Sequence, residues 1–497
     1  MGKRTERTGH GSLASGAVTA LAIAVQSGLA AVVGVVIARE LGRTAETDGF
    51  IAAYGVFIVL ALAATAIRLV VLPPLGRARV ERRLGQETAA WAVALAAVAV
   101  PLLVVGVVLA RPAAALLTGF GPEAARDAAE SVLPLMILAA IAQLYAGLAA
   151  SALAALDDYL TAAVTYIVAS VVGLVYILVR VDADGIDAVA VGMALNGLLA
   201  VSLPTLALFL RARREAMPRG AVSPAGQPLA ERLVAAGRST ALPLALQAVF
   251  VVSLPFAARE GVGAATSFGY AYLAASALVA VTSSSLGLVT SVPLTRIGLD
   301  PGGVARHVVS SSWLALLAAG ATAGVFAVAG TSLVGAVLGE GYLADVGEEL
   351  GRLIALLSPW MVFSIGYSVT LPLLFVEGRT RGLVLVGLGL IALNVPLAWL
   401  GQVLGGLTGL ALALALTTLV ALAVTLDRLH AARPALSALA GAALTVAALT
   451  VATFTVPALA LDAGPAAAVG LGLYAVVLAA WRPRGLRQSW SYLRSLA

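Results

Sequence analysis

The chain has 497 residues, 61% of them hydrophobic and 11% charged, with a mean hydropathy of +1.01. Soluble globular proteins carry about 25% charged residues, so the composition excludes that class and defines a polytopic membrane protein. The absence of cysteine excludes disulfides, cysteine-ligated metals and thiol redox chemistry. The three histidines, His10, His307 and His430, fall in hydrophilic segments and give no reason to expect a metal site or a proton relay. No metal and no cofactor is expected. The net charge of +6 is read as a consequence of membrane topology, not as a nucleic-acid-binding surface.

The basic N-terminus MGKRTERTGHG precedes an apolar run from Ser12 to about Ala38. A signal peptide has a core of about 7–15 residues; this run is longer and is read as the first transmembrane helix. A span needs roughly 20 apolar residues. The sequence predicts further spans over 49–75, 88–110, 131–156, 159–180, 185–210, 238–258, 264–295, 308–336, 351–376, 382–400, 404–426, 436–460 and 464–481. The expected fold is all-α, a polytopic integral membrane protein of about 14 transmembrane helices.

With the N-terminus in the cytoplasm, the even-numbered connections and both termini carry 22 of the 31 Lys and Arg. The odd-numbered connections carry 7, and Arg68 and Arg238 lie in or at the edge of the bilayer. Basic residues accumulate on the cytoplasmic side of membrane proteins. The expectation is a multi-pass protein of the cytoplasmic (inner) membrane with both termini inside.

The chain repeats itself. LAIAVQ (21–26) is echoed by LPLALQ (242–247), PLGR (74–77) by PLTR (293–296) and LPLM (133–136) by SPWM (358–361). GIDAVAVGMAL (185–195) is echoed by GLTGLALALAL (406–416), and ARE recurs at 38–40 and 258–260. These echoes come in order at a nearly constant offset and imply two parallel six-helix lobes plus two additional C-terminal helices. Parallel repeats are related by an axis along the membrane normal. The expected boundaries are an N-terminal lobe at 1–210, a cytoplasmic linker at 211–232 and a C-terminal lobe at 233–430, followed at 431–497 by two further helices and a basic tail. Gly42, Gly49, Gly261 and Gly263 are expected to shape the doubled joint between the first two helices of each lobe. Arg39 and Arg259, each followed by Glu, are expected to tie it down.

The first joint, ARELGRTAETDGFIAAY (38–54), resembles the same region of the MurJ-type lipid II flippases, within the multidrug/oligosaccharidyl-lipid/polysaccharide (MOP) exporter superfamily. The matching residues are Ala38-Arg39, Gly42 and Thr47-Asp48-Gly49-Phe50, and LPPL near 72–75 is similar to that family's end of helix 2. The motif is confined to this early part of the chain. Members of that family carry charges within helix 1, whereas helix 1 here has none. The resemblance implies a non-enzymatic flippase for a lipid-linked (polyprenyl-diphosphate) glycan precursor, without fixing lipid II as the cargo. It also implies membrane lipids and envelope-synthesis proteins as partners.

No Asp or Glu lies at the middle of a predicted span. Ion-coupled antiporters bury such a carboxylate, so its absence counts against a drug exporter, which stands as the alternative reading; a non-transporting partner in envelope assembly is the third. Arg68 and Arg238 are candidate substrate-binding residues, since a guanidinium fork suits diphosphate oxygens; the alternative is snorkelling to the interface. Gln26 and Gln247, related by the repeat, either hydrogen-bond sugar hydroxyls or join helices to each other.

Overall fold

The computed structural model describes residues 25–26, 28–214, 228–297, 300–339, 342 and 345–496. Most of the first predicted span and of the 211–232 linker lies outside them. Every regular element among the described residues is a helix. They are α1 (28–41), α2 (Ala45–Val80), α3 (Leu84–Val108), α4 (Ala110–Leu117), α5 (Glu123–Ala155), α6 (Tyr159–Arg214), α7 (Leu229–Ala257), α8 (Ala264–Ile297), α9 (Pro301–Leu338), α10 (Asp345–Leu356), α11 (Ser358–Val376), α12 (Leu383–Arg428), α13 (Ala432–Ala460), α14 (Ala463–Trp481) and α15 (Arg484–Leu496). Ten stretches of the described helices are long and apolar enough to cross a membrane, and the protein is an all-α, multi-pass membrane protein. The short α4 and the C-terminal α15 have no counterpart in the sequence expectation.

Two of these elements are hairpins. α6 and α12 have 56 and 46 residues, about 84 and 69 Å if straight at 1.5 Å per residue, against a hydrocarbon core of about 30 Å. Each is interrupted by a glycine in a conformation closed to side chains: Gly185 (φ 55°, ψ −129°) and Gly406 (φ 54°, ψ −135°). The chain folds back there. Gly173 packs against the carbonyl of Gly192, and Gly401 against that of Gly409. Each hairpin is therefore zipped by two glycines whose backbones touch, the usual device for close helix approach in lipid.

The repeat is visible in the backbone. Positive φ occurs at Gly42 and Gly263, Gly119 and Gly339, Asp157 and Gly378, and Gly185 and Gly406. The spacing within each pair is the spacing of the sequence echoes. Four positive-φ pairs, seven of their eight members glycine, recur in order at a nearly constant offset and so repeat a chain path.

The chain divides into two compact units, Met1–Gly263 with Gly382–Ile391, and Ala264–Arg381 with Ala392–Ala497. In the first, α2, α3 and α5 enclose Val71, Leu75, Trp91, Leu95, Leu144 and Leu148, with Leu233, Ala236 and Leu244 of α7 packed against them. α2 begins at Thr44, whose hydroxyl caps Thr47 N at 3.2 Å. In the second unit α9 packs on α13 and α14: Phe454 fills the space beside Gly324 and Gly470, and Tyr474 donates to the Leu317 carbonyl at 3.1 Å.

Gly49 does not shape the joint. It lies inside α2, and a Cβ there would collide with the Ala125 carbonyl of α5; its role is to let two helices touch. Gly49→Ala is expected to lower stability by about 1–3 kcal/mol. Gly441→Ala, on an open face of α13, should leave it unchanged. Thermal unfolding of the purified protein in detergent measures both.

Candidate functional site: two polar ties on helix α7

Helix α7 carries three residues that matter, Arg232, Arg238 and Gln247. Its first turn is fastened to α3. Arg232 donates from Nη1 to Glu87 Oε1 at 2.5 Å and from Nη2 to Oε2 at 2.8 Å. This is the bidentate geometry that makes Arg–carboxylate pairs strong. Trp91, one turn beyond Glu87 on the same face of α3, donates its indole N–H to Oε1 at 3.1 Å, and the Arg232 guanidinium lies 5.2 Å from the Trp91 ring centroid. Arg232 is 3% exposed and Glu87 8%. Desolvation offsets most of the attraction in such a pair, but removing one partner strands a buried charge at a cost of about 3–5 kcal/mol.

The other end of α7 is fastened by the doubled joint. After Ala257 the chain makes one 3-10 turn, Ala258–Glu260, then positive-φ positions at Gly261 and Gly263. Asp48 Oδ2, in the first turn of α2, accepts from Gly263 N at 2.6 Å, and Arg43 Nε donates to Gly263 O at 3.2 Å. The two echoes of the motif thus bind one another. Arg259 lies over the Phe256 ring at 5.4 Å, and Arg43 and Asp48, which the sequence reading did not single out as ties, also hold the joint. Between the two ends, Gly55 of α2 faces Val251 and Leu254, and Gly119 abuts the Pro255 carbonyl.

The four sequence-predicted site residues stand as follows. Arg68, on α2, is half-buried. It donates to the Tyr166 hydroxyl of α6, with its guanidinium 5.0 Å from that ring's centroid. Arg238 is exposed on α7, and Gln247 is half-buried on the same helix. Gln26 is half-buried at the start of the described part of the first helix. Among the lesser polar candidates, Asn394 accepts from Thr417 at 3.0 Å across the α12 hairpin. Asp157 and Asp158 pair with Arg79 at 2.5 Å and Arg211 at 2.7 Å; Arg79 and Asp157 are exposed, and such pairs contribute little.

Sequence reasoning missed Glu87 and Arg232 because both sit beside basic loops, where charged residues are ordinarily solvated. The available signal was Trp91, one helical turn after Glu87, an indole placed to share a buried carboxylate. His307 also differs from its sequence reading. It is 1% exposed on α9, with Nδ1 3.2 Å from the Tyr492 hydroxyl.

With this architecture described, comparison with solved structures shows that the fold is shared with a lipid II flippase and with MATE transporters. The lipid II flippase MurJ, in an inward closed conformation, matches with a TM-score of 0.71 at 12% identity, covering 93% of this chain and 98% of that one. An inward-facing multidrug resistance MATE family transporter of the MOP superfamily matches with a TM-score of 0.62 at 12% identity, covering 86% and 98%. The eukaryotic MATE transporter AtDTX14 matches at 0.57 and 16% identity, covering 87% and 98%. No family model and no curated protein matches the sequence.

Glu87→Ala is expected to destabilise the protein by about 3–5 kcal/mol. The double variant Glu87→Met with Arg232→Met should recover most of that loss, because neither charge is then stranded. A thermal double-mutant cycle measures the coupling.

Proposed function

We propose that this chain is a flippase that carries a lipid-linked glycan precursor, a sugar on a polyprenyl diphosphate, across the cytoplasmic membrane by alternating access. The observation that carries this reading is the likeness in fold to a lipid II flippase over 93% of the chain. The MurJ-like joint at 38–54 supports it, now with a physical role for its Arg43 and Asp48. The reading needs no covalent chemistry, and both termini face the cytoplasm in accord with the charge bias.

Movement in this scheme centres on α7. One of its ties releases while the other holds, so that the helix moves at one end at a time. The Glu87–Arg232 pair and the Asp48–Gly263 bond are suited to alternate, because each is a small set of directional contacts that is either made or broken, not a broad apolar surface. Arg68 and Arg238 supply cations for a diphosphate, and Gln26 and Gln247 supply amides for sugar hydroxyls.

The test is transbilayer movement of a labelled polyprenyl-diphosphate glycan in proteoliposomes. Alanine at both Arg68 and Arg238 is expected to slow flipping at least tenfold. Tyr166→Phe, which removes only the partner of Arg68, should stay within about threefold of the parent. Unchanged flipping in the double variant would remove the headgroup site. Gradient-driven dye export with no glycan movement would make the chain a small-molecule exporter instead.

A further inference from the structure

We propose that α15 is an interfacial anchor whose arginines bind the phosphate of an anionic phospholipid in the cleft that α15 forms with α13 and the end of α14. α14 is an apolar helix of 19 residues, about 28 Å long, close to the thickness of the hydrocarbon core. Its last residue, Trp481, therefore sits at a membrane surface whichever way the helix points. Arg482 takes a left-handed conformation (φ 42°) that ends α14. Pro483 then starts the chain on a new course into α15.

α15 has two faces. Gly485, Leu486, Ser489 and Tyr492 turn inward. A Cβ on Gly485 would lie 2.7 Å from Trp313, Leu486 joins the cluster of Trp313, Leu316, Ala442 and Val446, and Tyr492 meets His307. Burial raises the Tyr492 phenol from its ordinary value, with the Arg306 charge opposing. Arg484, Arg487, Ser491 and Arg494 turn outward and are exposed, beside an exposed Trp490. No acidic residue follows Asp462 in the sequence. Tryptophan is enriched at membrane interfaces, and clustered arginines beside a membrane surface are drawn to anionic lipid.

The cleft has a volume of about 540 Å³. Arg482, Arg484, Arg487 and Gln488 line its polar side, and Ala442 and Thr445 of α13 form the wall below. Two of the arginines are already positioned. Arg482 Nε donates to the Ala479 carbonyl at 2.9 Å, and Arg487 Nε to the Arg482 carbonyl at 2.6 Å. Arg487 Nη2 also reaches the Trp481 carbonyl at 3.4 Å; the other guanidinium N–H groups belong to exposed side chains, so a phosphate meets donors that are already oriented. A cationic rim above an apolar wall matches a lipid whose phosphate and acyl chains enter together.

The test uses the full-length protein in detergent, titrated with phosphatidylglycerol or phosphatidylcholine and read by native mass spectrometry. Phosphatidylglycerol is expected to bind at least fivefold more tightly. Changing one arginine to glutamine should reduce that preference, and R482Q/R484Q/R487Q should bring phosphatidylglycerol to the phosphatidylcholine level. Gly485→Leu, which lifts α15 from Trp313 and keeps every arginine, should also weaken binding. The single variant Arg484→Gln, an exposed change with no effect expected on folding, reports the effect if the others fail to fold. Equal binding of the two lipids, or undiminished phosphatidylglycerol binding in the triple variant, would overturn the proposal. So would full displacement by millimolar glycerol 3-phosphate, which would mark a site for a soluble anion, or saturable binding of a second copy that excludes lipid.

Discussion

A helix in lipid gains nothing from burying an apolar side chain against another helix, because the acyl chains it leaves are as apolar as the partner it meets. Association then rests on close backbone approach and on a few polar contacts. This constraint explains the placement of the glycines that matter here. Gly49 against Ala125, Gly173 against Gly192 and Gly401 against Gly409 are sites where main chains touch. The polar contacts that join helices follow the same rule: Glu87 with Arg232 and Trp91, Asp48 and Arg43 with Gly263, Arg68 with Tyr166, and Asn394 with Thr417. Each is local and directional, unlike the broad hydrophobic interfaces of soluble proteins.

Much of the architecture was legible in the sequence because the bilayer imposes it. Span length follows from membrane thickness. The offset of the repeat appeared in fragments of low complexity and returned in the backbone as paired left-handed positions. The site was less legible. Arg232 and Glu87 lie far apart along the chain, and nothing in either local segment announces the other. Arg68 read as an isolated cation because its partner Tyr166 lies on another helix. α15 escaped because so short and polar a segment has no apolar run; its register matters only once Trp313 supplies a surface to lie on.

The repeat also exposes an asymmetry. The offset that relates Gly119 to Gly339 relates Glu87 to His307, and both are buried one to two turns into the third helix of their half. In the first half this position captures α7 through Arg232; in the second it meets α15 through Tyr492. The same place in the fold has been given a charged fastening in one copy and a neutral one in the other. Fastenings of different strength on equivalent helices would let one half yield before its counterpart.

The paired left-handed positions carry a consequence for tracing ancestry. Lipid-facing sites accept almost any apolar side chain, so letters there are exchanged freely and erase the record of duplication. A backbone turn that only glycine or a few others can adopt is far harder to exchange. Gly42 with Gly263 and Gly185 with Gly406 are therefore milestones along the polypeptide. An alignment pinned to them, and indifferent to the hydrophobic letters between, would follow descent through distances at which overall identity has faded into noise.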